Sequence, residues 1–534
     1  SRRKKMIISH KHKFIFVRPR KTAGTTMQNV LSTICGEEDI ITAGYNDGNR
    51  NIDKSCWNGH PHPHLWDMKH LVGTDIWNEY YKFTFVRNPF DITVSRFFWN
   101  VNGKGQTGYD TTKDGFKEWF EEYTSQHIFH DAKYYSCNLA YPFLVDLQCV
   151  DNQNMPVYKQ GKLNKEIDLD FIGRFENLQS DFDFLCDKIG VEKLNLRDSN
   201  SKTKTRKTKT KYQEWYDDSM IETMNGLFEK DLDLLGYDFN QDFTLTKKSV
   251  CIDRDIFVNE DKNINGASLI KVPDWIENPL GKYYLYFASH TGKYIRLAYS
   301  DSLFEPFKIY DGKPLELTST DCKTHIASPD VHIDNNNRRI VMYFHGDTDN
   351  FQESFVSYSS DGLEFTDDKT PLGLFYFRVF RYDDKFFAIA KNKNKDSMIY
   401  VNDSWGGEFK SLFTFLPNSR HSAVLLDGNI LNIFYTIIGQ SPESIYVCKI
   451  KLDSDLDNWE VLSNQKLTKP MFKWEGAGSD LIPSMPGSAT ARWGNRNLNE
   501  LRDPCIFSED GVDYLLYTFN GEGGIAMGSL NKND

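Results

Sequence analysis

The sequence predicts a multidomain chain of two structural classes. An α/β domain with a mostly parallel sheet comes first, and an all-β five-bladed propeller follows. Through residues 1–240, apolar strands alternate with helix-periodic segments, the pattern of parallel α/β folds. Beyond Cys251 the helical period disappears, and short aromatic and β-branched runs recur between Asp/Asn/Gly turns. The length of 534 residues also exceeds one ordinary core.

In the first half, "HKFIFVR" and "YYKFTFVR" read as strands. "TTMQNVLSTIC", "FDITVSRFFWNV", "DGFKEWFEEYTS" and "NLQSDFDFLCDKIG" carry apolar residues at helical spacing. The basic run "SKTKTRKTKTK", residues 201–211, reads by itself as a solvated loop. In the second half one unit recurs five times: a polar turn, a short strand, an aromatic strand and a third strand. The units open with "NGASLIKV", "ASPDVHID", "FYFRVF", "SRHSAVLL" and "LRDPCIF". They average roughly 55 residues, the size of a propeller blade. A pair of β-sandwiches is the alternative, but it leaves the repeated strand order unexplained. The expected domains are residues 1–245 and 250–534.

Composition narrows the functional classes. Residues 1–250 hold 35 basic and 35 acidic side chains, so the whole net charge of −11 lies beyond them. An acidic second half is a poor grip for nucleic acid, and none is expected as a partner. No apolar run approaches the roughly 18–20 residues that span a bilayer, so no membrane partner is expected. Nine cysteines without a CxxC pair, and no apolar leader after the basic start, are expected of a cytoplasmic protein. The composition does not speak to oligomeric state.

Two segments carry anion chemistry. "FIFVRPRKTAGTTMQNVL" is a strand, a basic Gly/Thr turn and a helix start. A Walker loop places its Lys after the second Gly. Here Lys21 precedes the one Gly, Gly24, and Thr25 and Thr26 follow. The physics is that of a helix N-terminus: backbone N–H groups from Ala23 to Thr26 and the helix dipole favour an anion. Lys21 adds charge and the threonines add hydroxyl donors. A plain Gly turn capped by Thr is the structural alternative. The second segment, "YYKFTFVRNPFDITVSRFFW", repeats strand, loop and helix, with Arg87 at the strand end, Pro89 in the first turn and Ser95 further on. Alone, Arg87 also fits a structural ion pair.

Together these segments resemble the sulfotransferase family, in particular its carbohydrate and bacterial branch, whose fold is P-loop-like. The resemblance continues through "LDFIGRFENLQSDFDFLCDKIGV", with Arg174 and Glu176, to "LFEKDLDLLGYDF", and so covers about residues 13–239. It implies PAPS, the sulfate-activated adenosine cofactor, with adenosine 3′,5′-bisphosphate as product. Lys21, Thr22, Ala23, Gly24, Thr25 and Thr26 match the loop for the 5′-phosphosulfate. Arg87 and Ser95 match the element for the 3′-phosphate. Two positions depart: Arg20 stands where the family has Pro before the Lys, and Ile92 replaces the second Arg of its "NPxDR" motif. The resemblance also implies that the basic run, with Lys204, Arg206 and Lys207, closes over nucleotide or acceptor.

Sulfuryl transfer needs an acceptor hydroxyl in line with the leaving phosphate oxygen, donors for the growing charge, and a base. Lys21 and the loop would supply the donors. The sulfuryl group carries less charge than a terminal phosphate, so no metal is expected. "NGHPHPHLWDMKH" offers His60, His62, His64 and His70; His62 best matches the family's histidine, with His60 next. The same segment also reads as a zinc or nickel H-x-H-x-H site or as a plain surface loop, and Glu176 is a rival base.

The five units resemble the propellers of family-43 glycoside hydrolases and fructosidases. Asp330 and Asp503 are expected at equivalent inner-strand starts. "NGAS" and Arg378 stand where two further carboxylates would be wanted. The funnel is then expected to present His325, Asp330, Arg378, His421, Arg502 and Asp503, binding glycan without cutting it. Pairing of these groups with one another is the structural alternative. The expected activity is PAPS-dependent sulfation of a saccharide or polysaccharide acceptor; the alternative is a bifunctional or true glycoside hydrolase acting through the propeller.

Overall fold

The computed structural model describes residues 6–18, 21–41, 65–103, 108–129, 167–199, 210–258, 260–393, 395–484 and 496–533. The chain divides into two units. One holds Ser1–Thr246, Met471–Lys473 and Asn531–Asp534; the other holds Lys247–Pro470 and Trp474–Leu530.

The first unit is built on a five-stranded sheet: β1 (Met6–Ser9), β2 (Phe14–Val17), β3 (Ile40–Ile41), β4 (Tyr81–Val86) and β5 (Phe171–Arg174). The strand order is β3-β1-β2-β4-β5. β2, β4 and β5 run parallel, with Phe14 beside Tyr81 and Phe83 beside Phe171. β1 is antiparallel to both neighbours, so the sheet is mixed at this edge. Every residue of β2 is buried, as a continuous apolar run predicts for an inner parallel strand. Among the described residues the helices are α1 (Gly24–Ser32), α2 (Leu65–Val72), α3 (Thr74–Glu79), α4 (Pro89–Phe98), α5 (Lys113–Phe129), α6 (Leu178–Ile189), α7 (Asp218–Leu227) and α8 (Glu229–Leu235). α1 follows β2 and α4 follows β4, so two loops leave neighbouring parallel strands at the same end, where α/β sheets place ligands.

An aromatic cluster fixes α4. Phe97 lies 5.3 Å from Phe116 and Phe98 lies 5.1 Å from Trp215, ring centre to ring centre. Truncating one such ring to Ala costs about 3–5 kcal/mol. Ile92, 4% exposed, belongs to this cluster, so the position where the resembling motif carries Arg is here a core position.

The second unit consists of five sheets. β7 (Asn265–Lys271), β8 (Tyr283–Ala288) and β9 (Tyr294–Ser300) form the first, with short β10 (Lys308–Ile309) and β11 (Leu315–Glu316) on β9. β12 (Ile326–Asp334), β13 (Arg339–Thr348) and β14 (Phe351–Ser359) form the second, with β15 (Thr366–Asp367) and β16 (Gly373–Leu374). The third is β17 (Arg378–Tyr382), β18 (Lys385–Asn392), β19 (Asp396–Asn402) and β20 (Lys410–Phe415). The fourth is β21 (Ser419–Asp427), β22 (Ile430–Ile437), β23 (Ile445–Lys451) and β24 (Glu460–Thr468). The fifth is β25 (Arg502–Glu509), β26 (Val512–Phe519), β27 (Gly524–Lys532) and β6 (Phe243–Asp253). The unit is therefore a five-bladed propeller.

Each blade has an outer strand beyond the three read from sequence. In β20 every residue is exposed or half-buried, so it lacks the apolar pattern that marks a strand. The outer strand of the last blade, β6, precedes the first blade in the chain and closes the ring.

Four inner strands bulge at their starts, between Asn265 and Ser268, Ala327 and Asp330, Ser419 and Ser422, and Arg502 and Cys505. This register corrects one expectation. Asp503 matches Gly266, Ser328 and Arg420, whereas Asp330 matches Ser268, Ser422 and Cys505. Asp330 and Asp503 are thus two positions apart, because the bulge separates strand start from regular pairing. Gly266, Ser328 and Asp503 share left-handed backbone, with φ of 63°, 52° and 45°. At Gly266 a Cβ would lie 2.5 Å from Ser328 Cα, which only glycine avoids.

Candidate functional site

The loop after β2 is shaped for an anion. Lys21 and Ala23 both have left-handed backbone, φ 65° and 58°, with Thr22 between them outside that region. Such alternation turns successive N–H groups toward one point. Ala23 is the N-cap of α1; no side chain caps the helix, and its first turn holds no acidic residue. Its dipole and first-turn N–H groups therefore favour a negative partner. α4 shows the contrast: Asn88 accepts from the Phe90 N–H at 3.0 Å, Pro89 opens the first turn and Asp91 sits within it.

Beneath the α1 loop lies Arg18, the residue after β2, which is 6% exposed. It donates to Gln28 Oε1 and to Thr25 Oγ1. Burial pushes its pKa down to about 9. A Cβ on Gly24 would fall closer than 3.0 Å to Nε, Cγ and Cδ of Arg18, so the loop needs glycine for close approach. Thr25 accepts from Arg18 through its oxygen, which leaves its hydroxyl hydrogen to donate elsewhere. The sequence reading did not single out Arg18; a charged residue directly after a buried apolar strand was the available signal.

The second loop meets the first. Arg87 Nη1 donates to the Lys21 carbonyl at 3.3 Å. Its Nε donates to Asp91 Oδ2 at 2.7 Å, and its Nη2 lies 2.6 Å from the same oxygen. The guanidinium lies 3.9 Å from the centre of the Phe175 ring. Asp91, Ser95 and Trp99 follow at one-turn spacing along the same side. Lys21 Nζ lies 4.9 Å from the centre of the Trp99 ring. Lys21 is therefore held at its carbonyl by Arg87 and at its ammonium by Trp99, with Ser95 on the helix face between.

Glu176 braces this corner. The Asn88 N–H donates to its Oε1 at 2.8 Å, and Tyr237 Oη donates to its Oε2 at 2.9 Å. Both oxygens are occupied by structural bonds, which weighs against its reading as a base. Arg174 is buried and donates to the carbonyls of Leu235 and Leu245 at 2.7 and 2.8 Å. His60, His62, His64, Lys204, Arg206 and Lys207 lie outside the described residues. His70 lies in α2, and its side chain is outside them too. Among the described residues, no group of three metal-ligating side chains forms.

The propeller axis is crowded with buried charge. Arg502 is 0% exposed and held by three carboxylates: Glu443 at 3.2 Å, Glu522 at 3.3 Å, and Glu500. Arg420 donates to Glu443 at 2.9 Å. Arg502 is thus a buried clamp rather than a side chain facing a funnel. Asp503 accepts from Tyr376 Oη at 2.8 Å and lies 3.5 Å from His421 Nε2. Burial drives the His421 pKa well below its usual value, so the ring is neutral. Asp330 accepts from His332 Nε2 and from the Val379 N–H, each at 2.8 Å. Burial would raise its pKa, but His332 and Arg378 hold it below the ordinary value. His325 faces Asp347 at 3.2 Å. Two further residues there, Tyr376 and Lys391, escaped the sequence reading: each looks like ordinary strand composition.

Comparison with known proteins agrees with this division. The model of the sulfotransferase family matches residues 4–238. An uncharacterized protein of Acanthamoeba polyphaga mimivirus, R118, is 34% identical over 308 residues, covering 51% of this chain and 85% of that protein. An uncharacterized Archaeoglobus fulgidus protein is 27% identical over 133 residues, covering 25% of this chain and 87% of that one. Among solved structures, a thermostable family-43 glycoside hydrolase is similar over 51% of this chain and 89% of its own, with TM-score 0.36 and 16% identity. An exo-β-1,3-galactanase from Phanerochaete chrysosporium matches over 51% and 60%, with TM-score 0.36 and 13% identity. The blade assignment stands on the sheet order above, not on these distant likenesses. Through residues 4–238 the chain belongs to the sulfotransferase family, its family domain followed by a five-bladed propeller of antiparallel sheets.

Proposed function

We propose that the first domain transfers a sulfuryl group from PAPS to a hydroxyl of a carbohydrate acceptor, and that the propeller holds glycan. The hydrogen bond from Arg87 to the Lys21 carbonyl carries this reading, because it joins the two loops into one cationic corner. The donor set suits a ligand with two separated anionic ends. The uncapped α1, the bare Gly24 and the Lys21 ammonium form one cradle. Arg87 and Ser95 form the other. Asp91 and the Lys21 carbonyl engage three of the five Arg87 N–H donors, which leaves two for a phosphate.

When bound, PAPS supplies an activated sulfuryl group. Lys21 and the loop N–H groups would hold the phosphosulfate end and stabilise charge growing on the leaving oxygen. Arg87 and Ser95 would fix the other end. His62 or His60 would take the acceptor proton, since an imidazole titrates near working pH. Arg206 and Lys207 would add charge to the nucleotide side.

The test pairs titration of adenosine 3′,5′-bisphosphate with transfer to a saccharide panel. Lys21→Ala is expected to lower transfer about 10²–10³-fold, as loss of a transition-state donor does. Arg87→Ala is expected to weaken nucleotide binding about 10–100-fold, the worth of a charge-assisted hydrogen bond. Both variants should remain folded. Transfer retained in both would defeat the reading.

A further inference from the structure

The propeller axis holds two buried basic side chains, Arg378 and Lys391, that sulfuryl transfer does not use. They gather around Tyr376, which adopts left-handed backbone, φ 66°, although it is not glycine. Such strained backbone concentrates at ligand sites. The phenol is anchored to Asp503, and its ring stacks on His421 with centres 5.0 Å apart. The Arg378 guanidinium lies 4.1 Å from the Tyr376 ring centre. Lys391 Nζ lies 5.4 Å from it and 4.9 Å from that of Phe375. The His345 ring lies 6.2 Å away.

These three neighbours are under-satisfied. Arg378 is 4% exposed; its Nη1 donates to the Ser328 and Phe377 carbonyls, and its Nη2 meets no acceptor. Lys391 is 8% exposed, and among the described residues its ammonium forms no hydrogen bond or ion pair, only the two ring contacts. His345 is 6% exposed, and its Nδ1 is unpartnered. Arg502 and Arg420, also buried at the axis, lie against glutamates, so the fold can place carboxylates beside axial cations where they are structural. A buried donor without an acceptor is destabilising, more so when charged. The unpartnered Arg378 Nη2, with Lys391 Nζ and His345 beside the same strained ring, calls for a ligand that brings acceptors and negative charge.

We infer that the propeller axis binds an acidic saccharide, with Arg378 Nη2 and Lys391 Nζ on its carboxylate or sulfate ester. This rests on the reading of the propeller as a glycan holder and names the class of glycan. Asp503 and His345 supply the acceptor and donor for neighbouring hydroxyls.

The full chain is titrated with glucose, glucose 6-sulfate and glucuronic acid by ligand-observed NMR. At least one acidic sugar should bind tenfold or more tightly than glucose. Lys391→Met and Arg378→Gln should each abolish most of that preference. Trp405→Ala should keep it; that residue lines a polar hollow of about 730 Å³ at the opposite ends of β12 and β13. The two acidic sugars tell a sulfate reader from a carboxylate reader. Lys391→Met should also raise the melting temperature without sugar, whereas a structural lysine would lower it on removal. Equal binding of all three sugars removes the acidic preference and leaves the glycan-holding reading standing. No binding of any sugar removes both. A preference kept in both axial variants, or lost in Trp405→Ala, overturns the assignment to this site. Nucleotide titration of the same proteins reports the first domain separately.

Discussion

At the end of β2, Lys21 and Arg87 meet on an uncapped helix, where Arg87 contacts the Lys21 carbonyl, the Phe175 ring and Asp91, and the Lys21 ammonium lies over the Trp99 ring. At the propeller axis, Arg502 sits beyond the reach of solvent within three glutamates. Both regions collect cations at strand starts or ends, yet they spend them differently. Arg87 in the first keeps two N–H donors to offer; in the second most are consumed internally. The difference teaches that a cation's function is read from what its remaining hydrogens face, not from its presence in a motif. Arg378 and Lys391 show this within the axis itself, since they share its burial but not its pairing.

The comparison can be broken most sharply at Arg502. Arg502→Met removes the cation that Glu443, Glu500 and Glu522 share, and should destabilise the propeller by about 3–5 kcal/mol in a denaturant titration. Lys21→Ala, by contrast, should move stability by no more than about 0.5 kcal/mol. Comparable losses in the two variants would erase the distinction. A smaller effect is expected at Gly24→Ala. The new methyl group drives into Arg18, so stability should fall by about 1–3 kcal/mol, with loss of adenosine 3′,5′-bisphosphate binding. Unchanged nucleotide affinity would show that the loop does not need its close packing.

The smallest effect sharpens the axis. Burial first, with help from Arg420, brings the Lys391 pKa down to about 7. Between pH 7 and the unfolded value near 10.4, the unfolded chain then binds a proton that the folded chain does not, so stability rises with pH. The stability advantage of Lys391→Met should therefore narrow by up to about 2 kcal/mol between pH 7 and pH 9. A constant advantage across that window would mean that the amine stays charged when buried.

The two anion loops were legible because their chemistry is local: strand, turn and helix start lie within a few residues, and β2 and β4 become neighbours through ordinary parallel pairing. Arg18 was not, because only the packed loop shows that it lies across Gly24. The blades were legible from their aromatic second strands, whereas outer strands such as β20, exposed or half-buried throughout, were not. The supposed equivalence of Asp330 and Asp503 failed on a bulge, which shifts register without altering local composition. Arg502 looked like a ligand-facing residue because Glu443 and Glu522 reach it from other turns. Sequence spacing does not distinguish a clamped cation from an unpaired one.

The ring-closing strand Phe243–Asp253 has a practical consequence. A recombinant fragment begun at residue 250 would lose most of it, and Gly524–Lys532 would be left as a naked edge. Such edges recruit strands from other molecules, so the fragment should precipitate or form intertwined oligomers. Boundaries drawn at the end of the family match, near residue 239, would keep this strand on the last blade.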